Sequence, residues 1–175
     1  MGSRRHARLA PLSLRIITEP STEVLSQLYQ VEVSAHQEPW TQDDIASTFS
    51  DNTRCIGLYL KEELIGFAVI CVVVDEADLY TIGVCKKYQG LGFGTKLLAA
   101  TLKECVKMGA TRCFLEVRVS NEVALHLYDR FGFTITGTRK NYYQGSHGNP
   151  PEDAYTMVCD LTQLPPEEEA PATSE

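Results

Sequence analysis

No apolar run in this 175-residue chain comes near the ~20 residues that crossing a bilayer requires. The basic start (Arg4, Arg5, Arg8) is followed by no long apolar stretch, so neither a membrane span nor a secretory signal is expected. Cys55, Cys71, Cys85, Cys105, Cys113 and Cys159 include no C-x-x-C pair, and each sits in an apolar segment. They read as free, buried thiols of a cytoplasmic protein rather than as disulfides or zinc ligands. His6, His36, His126 and His147 are scattered without ligand spacing, and no metal is expected. Positive charge is scarce: 16 Lys and Arg stand against 23 Asp and Glu, a formal net charge of -7. Such a field repels phosphate, which argues against direct nucleic-acid binding and against an anionic membrane. It suits a basic partner, an amine or a cationic peptide. The chain has no internal repeat and no G-x-x-x-x-G-K-S/T loop, so an NTPase is not expected.

What is present is ordinary soluble composition, 43% apolar and 22% charged, and enough length for one domain with a real core. Residues 1–12 read as a disordered basic arm and residues 163–175, rich in Pro and Glu, as a disordered acidic tail, leaving a domain over 13–162. Within it, 14–18 is a short strand. Apolar spacing predicts a helix from Pro20 to about Ala35. Pro39-Trp40 breaks it, and Thr41 caps a second helix that runs to about Phe49, with Asp43 and Asp44 in its first turn. Residues 54–60 and 64–74 form a hairpin about Lys61-Glu62-Glu63, and 79–84 is a third strand after an Asp75-Glu76-Ala77 turn. A helix over 95–108 ends at Gly109. A strand over 112–119, a helix over 121–131 and strands over 133–138 and 155–161 complete a mixed α/β sheet with helices packed on it.

Between the third strand and its helix lies Gln89-Gly90-Leu91-Gly92-Phe93-Gly94. Three glycines in five positions let the backbone turn tightly and approach a ligand. The helix behind them offers unpaired N–H groups and the positive end of its dipole, an anion site suited to pyrophosphate. A dinucleotide fingerprint does not fit. The loop follows three hairpin-connected strands and lacks G-x-G-x-x-G spacing.

This hexapeptide resembles the Gln/Arg-x-x-Gly-x-Gly/Ala signature of the GNAT superfamily of N-acetyltransferases. Further segments are similar to its bacterial ribosomal-protein-alanine N-acetyltransferases, the Rim-type enzymes: Pro39-Trp40, Asp75-Glu76-Ala77, Leu115-Glu116-Val117-Arg118, Ser120-Asn121, Leu127-Tyr128, Phe131-Gly132-Phe133, Arg139-Lys140-Asn141-Tyr142-Tyr143 and Glu152-Asp153-Ala154. The resemblance covers roughly residues 14–161. It implies the acyl-CoA N-acyltransferase fold, a mixed central sheet flanked by helices. It also implies acetyl-CoA as cosubstrate and a protein N-terminus as acceptor, with the N-terminal alanine of small-subunit ribosomal protein eighteen the leading candidate. Thr95 departs from the pattern, standing where the family often has Arg. Gln144 to Pro151 is slightly longer than usual.

The resemblance assigns roles that the residues alone leave open. Gln89, Gly90, Leu91, Gly92, Phe93, Gly94 and Thr95 would hold the pyrophosphate. Backbone groups at Ile82, Gly83 and Val84, in a bulged strand, would meet the pantetheine and acetyl group, and Gly83 fits a bulge or a close ligand approach. Glu116 alone reads as an outward charge or an ion-pair partner of Arg118, which shares its face. The resemblance makes it the general base toward an α-amine of pKa ~7.7–8.0. Tyr128 alone is a packed aromatic. The resemblance makes it the acid toward the CoA thiolate, although a Tyr pKa of ~10 against ~8.5 for a thiol makes full transfer uphill by roughly 2 kcal/mol. Asn121 is expected to cap its helix and, by resemblance, to reach the pantetheine arm. His126 reads as structural. Cys85 is not taken as a nucleophile, because the family transfers acetyl directly to the amine. Tyr142 and Tyr143 cannot both face the core and are read as an acceptor-binding lip. Three functions remain open: an N-terminal acetyltransferase, an enzyme for small amines or lysine side chains, and a non-catalytic acyl-CoA sensor.

Overall fold

Apolar alternation and helix-cap chemistry divide the described residues into seven strands and four α-helices. The computed structural model describes residues 11–146 and 148–164. Apart from Pro11, Leu12, Gln163 and Leu164, the expected arm and tail lie outside the described residues. The described residues form two compact units that divide between Ala110 and Thr111. No helix among the described residues is long and apolar enough to cross a membrane.

In the first unit, β1 (Leu12–Ile17), β2 (Thr53–Leu60), β3 (Glu63–Val73) and β4 (Glu76–Val84) make an antiparallel meander in chain order. β2 and β3 are near-continuous runs of buried residues, as strands covered on both faces must be. Helices α1 (Thr22–Ala35) and α2 (Gln42–Ser47) cover one face. There Leu28, Val31 and Ile45 pack with Cys55, Phe67 and Val69. Helix α3 (Phe93–Lys107) covers the other and buries Leu97, Leu98 and Leu102. A Cβ on Gly66 would meet Leu97, whereas one on Gly83 would meet Ala35. Residues 83 and 84 point to opposite faces, and Val84 lies beside Gly66 on the α3 side.

Local chemistry sets the helix starts. Ser21 Oγ accepts from the Val24 N–H at 3.2 Å. Thr41 and Asp44 form a reciprocal capping box, and the bonds from Thr41 hold the Asp44 carboxyl below its ordinary range. The expected second helix stops at Ser47, two residues short, because the Thr48 hydroxyl turns back to the Ile45 carbonyl at 2.7 Å. The turn expected at Asp75-Glu76-Ala77 is tighter: β4 already begins at Glu76, and Val74 takes a left-handed conformation.

In the second unit, β7 (Glu152–Asp160) lies between β5 (Arg112–Arg118) and β6 (Thr134–Tyr143), antiparallel to both. Helix α4 (Glu122–Arg130) starts at Asn121, whose side chain accepts from the Ala124 N–H. β6 runs five residues beyond the expected 138. It can do so because a bulge between Arg139 and Tyr143 absorbs the break in its register with β7.

Phe67 is fully buried at the centre of the first unit. Phe67→Ala should cost about 3–5 kcal/mol of stability, read as a lower urea midpoint at unchanged slope.

Candidate active site

The glycine-rich loop lies at the end of β4. Gln89 Nε2 donates to the Val84 carbonyl at 2.8 Å, which ties the loop to the strand. Gly90 (φ 77°) and Gly92 (φ 83°) both adopt left-handed backbone, which a side chain would strain. A Cβ at either would meet nothing within 4 Å, so the left-handed backbone, not a close neighbour, requires glycine there. Helix α3 starts at Gly92 without a side-chain cap, and its first turn carries no acidic residue. Among the described residues the backbone N–H groups of Gly90 to Gly94 donate no hydrogen bond, leaving a row of donors at the positive end of the helix dipole. This loop has the chemistry to hold a pyrophosphate.

On β4 the expected bulge is real but lies at Tyr80, not at Gly83. Ile70 pairs with Leu79 and Val69 with Thr81, so Tyr80 is the extra residue. Gly83 has a different reason. A Cβ there would come within 2.7 Å of the Ala35 Cβ and 3.0 Å of His36 Nε2, so its missing side chain lets α1 approach the strand. Cys85 follows directly, and burial pushes its thiol above the ordinary value. That disfavours a thiolate nucleophile.

In the second unit, Glu116 on β5 is three-quarters buried and pairs with Arg139 Nε of β6 at 3.2 Å. The expected partner, Arg118, instead meets Glu152 at 3.3 Å and lies 4.0 Å from the centre of the Tyr143 ring. Glu152 also accepts from the Ser120 N–H at 2.9 Å, fixing the turn before α4. Asp153 accepts from the N–H of Asn141, which is left-handed (φ 51°), and so holds the β6 bulge. That bulge turns the Tyr142 hydroxyl to Glu116, a bond that raises the tyrosine's pKa. Tyr142 and Tyr143 stand edge to face with centroids 5.1 Å apart. Tyr142 is exposed at 44%.

Tyr128 is buried at 6% exposure, with its ring 5.5 Å from Phe133. Its hydroxyl makes no hydrogen bond among the described residues, and burial pushes its pKa well above the ordinary tyrosine value. His126 is exposed on the same helix. The sequence reading missed Arg139 as the partner of Glu116. It also missed Glu32, a carboxylate at 2% exposure on α1, whose only signal was an acidic residue within an apolar helical stripe.

Comparison with known proteins identifies the family. The Acetyltransferase (GNAT) family model matches residues 23–133, and the chain belongs to that family; it is an acetyltransferase. Ribosomal protein bS18-alanine N-acetyltransferase from Haemophilus influenzae is 34% identical over 148 residues, 85% of this chain and all of the relative. The crystal structure of ribosomal-protein-S18-alanine N-acetyltransferase from Escherichia coli superposes with a TM-score of 0.77 at 32% identity, covering 90% of this chain and 99% of the other. The expected α/β acyl-CoA N-acyltransferase fold is therefore the fold of this protein. A GNAT family acetyltransferase from Elizabethkingia anophelis has the same fold (TM-score 0.69, 18% identity, 85% of this chain and 97% of the other) and was solved with acetyl-CoA bound.

Gly92→Val should weaken acetyl-CoA binding about a hundredfold or more, because it strains the turn and fills the open approach to the N–H row. Titration calorimetry checks this. Unchanged affinity would remove the loop from the cosubstrate site.

Proposed function

We propose that this acetyltransferase moves the acetyl group of acetyl-CoA onto the α-amine of a protein N-terminus, with the alanine that begins ribosomal protein bS18 as its acceptor. The observation that carries the reading is the Glu116 group: a carboxylate held by Arg139 beside the aromatic lip of Tyr142 and Tyr143. An acidic side chain at an aromatic rim suits an incoming ammonium. The names of relatives matched along their whole length supply the acceptor. A chain of net charge -7 favours encounter with a basic ribosomal protein, and the cytoplasm, where ribosomes are, is its place of work.

In this reading the N–H row of Gly90 to Gly94, with Gln89 and Thr95 at its ends, binds the cosubstrate pyrophosphate. The Asn121 side-chain oxygen is committed to the cap, so its amide nitrogen is the part that can reach the pantetheine arm. Backbone at Ile82, Gly83 and Val84 holds the thioester, and an N–H there stabilises the oxygen as negative charge develops. Glu116 takes a proton from the ammonium, directly or through water, and the freed amine attacks the carbonyl carbon. The C–S bond breaks, the electron pair leaves on sulfur, and the attacking nitrogen gives its second proton to water, leaving the neutral amide. Tyr128 donates a hydrogen bond to that thiolate. Its raised pKa argues for a donated hydrogen bond rather than complete proton transfer.

Glu116→Gln should slow turnover by about 10²–10⁴. The loss is largest at low pH, where the amine is protonated and needs the base, and shrinks as pH rises through the amine pKa. Tyr128→Phe should reduce kcat more than acetyl-CoA affinity. Near-wild-type rates of both at pH 7 would leave Glu116 as a structural charge.

Mass spectrometry after incubation with peptides bearing Ala, Ser, Met or internal Lys, and with small amines, identifies the acceptor. Acetylation should fall on the α-amine of the Ala peptide and weaken as salt screens the encounter. Products only on lysine side chains or small amines would overturn the N-terminal reading and leave the family assignment intact.

A further inference from the structure

Glu32 lies in the last turn of α1 at 2% exposure, among groups the proposed chemistry does not use. Its Oε2 accepts from the Thr81 hydroxyl at 3.2 Å, and Oε1 lies 3.4 Å from the same hydroxyl. His36 Nε2, one helical turn on, is 3.7 Å from Glu32 Oε2 and 3.3 Å from Thr81 Oγ1. The Trp40 N–H donates to Glu32 Oε1 at 3.5 Å. A carboxylate removed from water is costly unless polar partners surround it, and among the described residues no arginine or lysine pairs with it. Partners from α1, β4 and the segment between α1 and α2 do so instead.

These partners grip one particular stretch of strand. Thr81 is the first residue after the Tyr80 bulge, and two residues on, Gly83 is the one against which Ala35 and His36 pack too closely for a Cβ. Residues 81 and 83 share a face. The end of α1 therefore holds β4 at two consecutive inward positions, by hydrogen bonds at the first and by steric fit at the second. The Trp40 ring lies beside the ring of the bulge residue Tyr80, with centroids 6.4 Å apart. The held stretch is the backbone read above as the seat of the thioester.

We propose that Glu32, His36 and Thr81 form a positioning clasp, which fixes the backbone of Ile82–Val84 in the geometry that orients the thioester for attack. The clasp touches no substrate; it acts through β4. The inference rests on the reading of Ile82–Val84 as the thioester seat. Its effect falls on kcat, because a seat displaced by a fraction of an ångström still binds the distant pyrophosphate but misaligns the reacting carbon.

The test is steady-state kinetics of Thr81→Val, which keeps the side-chain shape and deletes the hydroxyl. Thr81→Ser, which restores the hydroxyl, is measured beside it, with acetyl-CoA affinity and thermal unfolding for each. The clasp predicts that Thr81→Val loses about tenfold to a hundredfold in kcat. Acetyl-CoA affinity and acceptor KM should stay within about threefold, and Thr81→Ser should recover most of the rate. If Thr81→Val does not fold, Glu32→Gln, which keeps the volume and weakens the acceptor, must show the same split. A folded Thr81→Val or Glu32→Gln enzyme with wild-type kcat overturns the clasp. So does a rate loss matched by an equal loss of cosubstrate affinity, or a serine variant that fails to recover. The cosubstrate loop is judged separately by Gly92→Val, so normal turnover of Thr81→Val would overturn the clasp and leave the loop assignment standing.

Discussion

Helix α3 begins with nothing to satisfy it. Its first residues follow a left-handed glycine, its N-cap has no side chain, and no acidic residue lies in the first turn. An isolated helix pays for such an end in unpaired donors, and Ser21, Thr41 and Asn121 show that this chain caps its other α-helices with side chains. On the proposed reading, the exception marks the place where the cosubstrate pyrophosphate meets these donors. Much of the first unit serves this end. β4 delivers the chain to the loop, and Gln89 anchors the loop to the Val84 carbonyl. Leu97, Leu98 and Leu102 bury the far side of the helix, so that the uncapped end is held still by packing rather than by a cap.

The Arg139–Asn141–Asp153 region shows how a sheet edge becomes a rim. A regular β6 would place Tyr142 and Tyr143 on opposite faces. Asn141 adopts a left-handed conformation, which asparagine tolerates better than most residues, and the Asp153 carboxylate takes its N–H. With the extra length stored in the bulge, Tyr142 reaches the carboxylate of Glu116 while Tyr143 packs beneath the Arg118 guanidinium. Glu152 and Asp153 thus have separate structural duties, one on the turn before α4 and one on the bulge. Both are settled by backbone donors rather than by charge alone.

Legibility in the sequence followed the range of the interaction. The Gly-rich loop, the caps at Thr41 and Asn121 and the helical stripes are local, and each could be read from a few neighbouring residues. The partner of Glu116 could not. Residues 116 and 118 share a face on one strand, which made Arg118 the natural reading, yet the register of β5, β7 and β6 brings Arg139 to Glu116 and Glu152 to Arg118. Gly83 was legible only in part for the same reason. It fitted a bulge or a close ligand approach; the bulge falls at Tyr80, and a helix 48 positions earlier in the chain also packs there too closely for a side chain. Glu32 was illegible because a single acidic residue in an amphipathic helix is ordinarily a solvated one; only the placement of β4 against α1 makes it buried.

The environment of Tyr128 bears on how the reaction can end. A tyrosine meant to surrender its proton fully would gain from a nearby cation that lowers its pKa. Tyr128 has the opposite surroundings: it is buried against Phe133, and desolvation is the leading cause of its upward shift, with Tyr143 and Cys113 adding to it. A phenol in this setting is a poor proton donor in the sense of complete transfer and a good one in the sense of an oriented hydrogen bond, since no other group among the described residues takes its hydroxyl. A thiolate of pKa ~8.5 does not need a proton to leave from a thioester at neutral pH. It needs its charge met as it forms, and a fixed dipole in a dry pocket does that without reorganising. On the proposed reading, the two polar ends of the reaction are then handled differently. A carboxylate near solvent moves a proton at the amine, and the hydroxyl of a buried tyrosine, which keeps its proton, stabilises the sulfur.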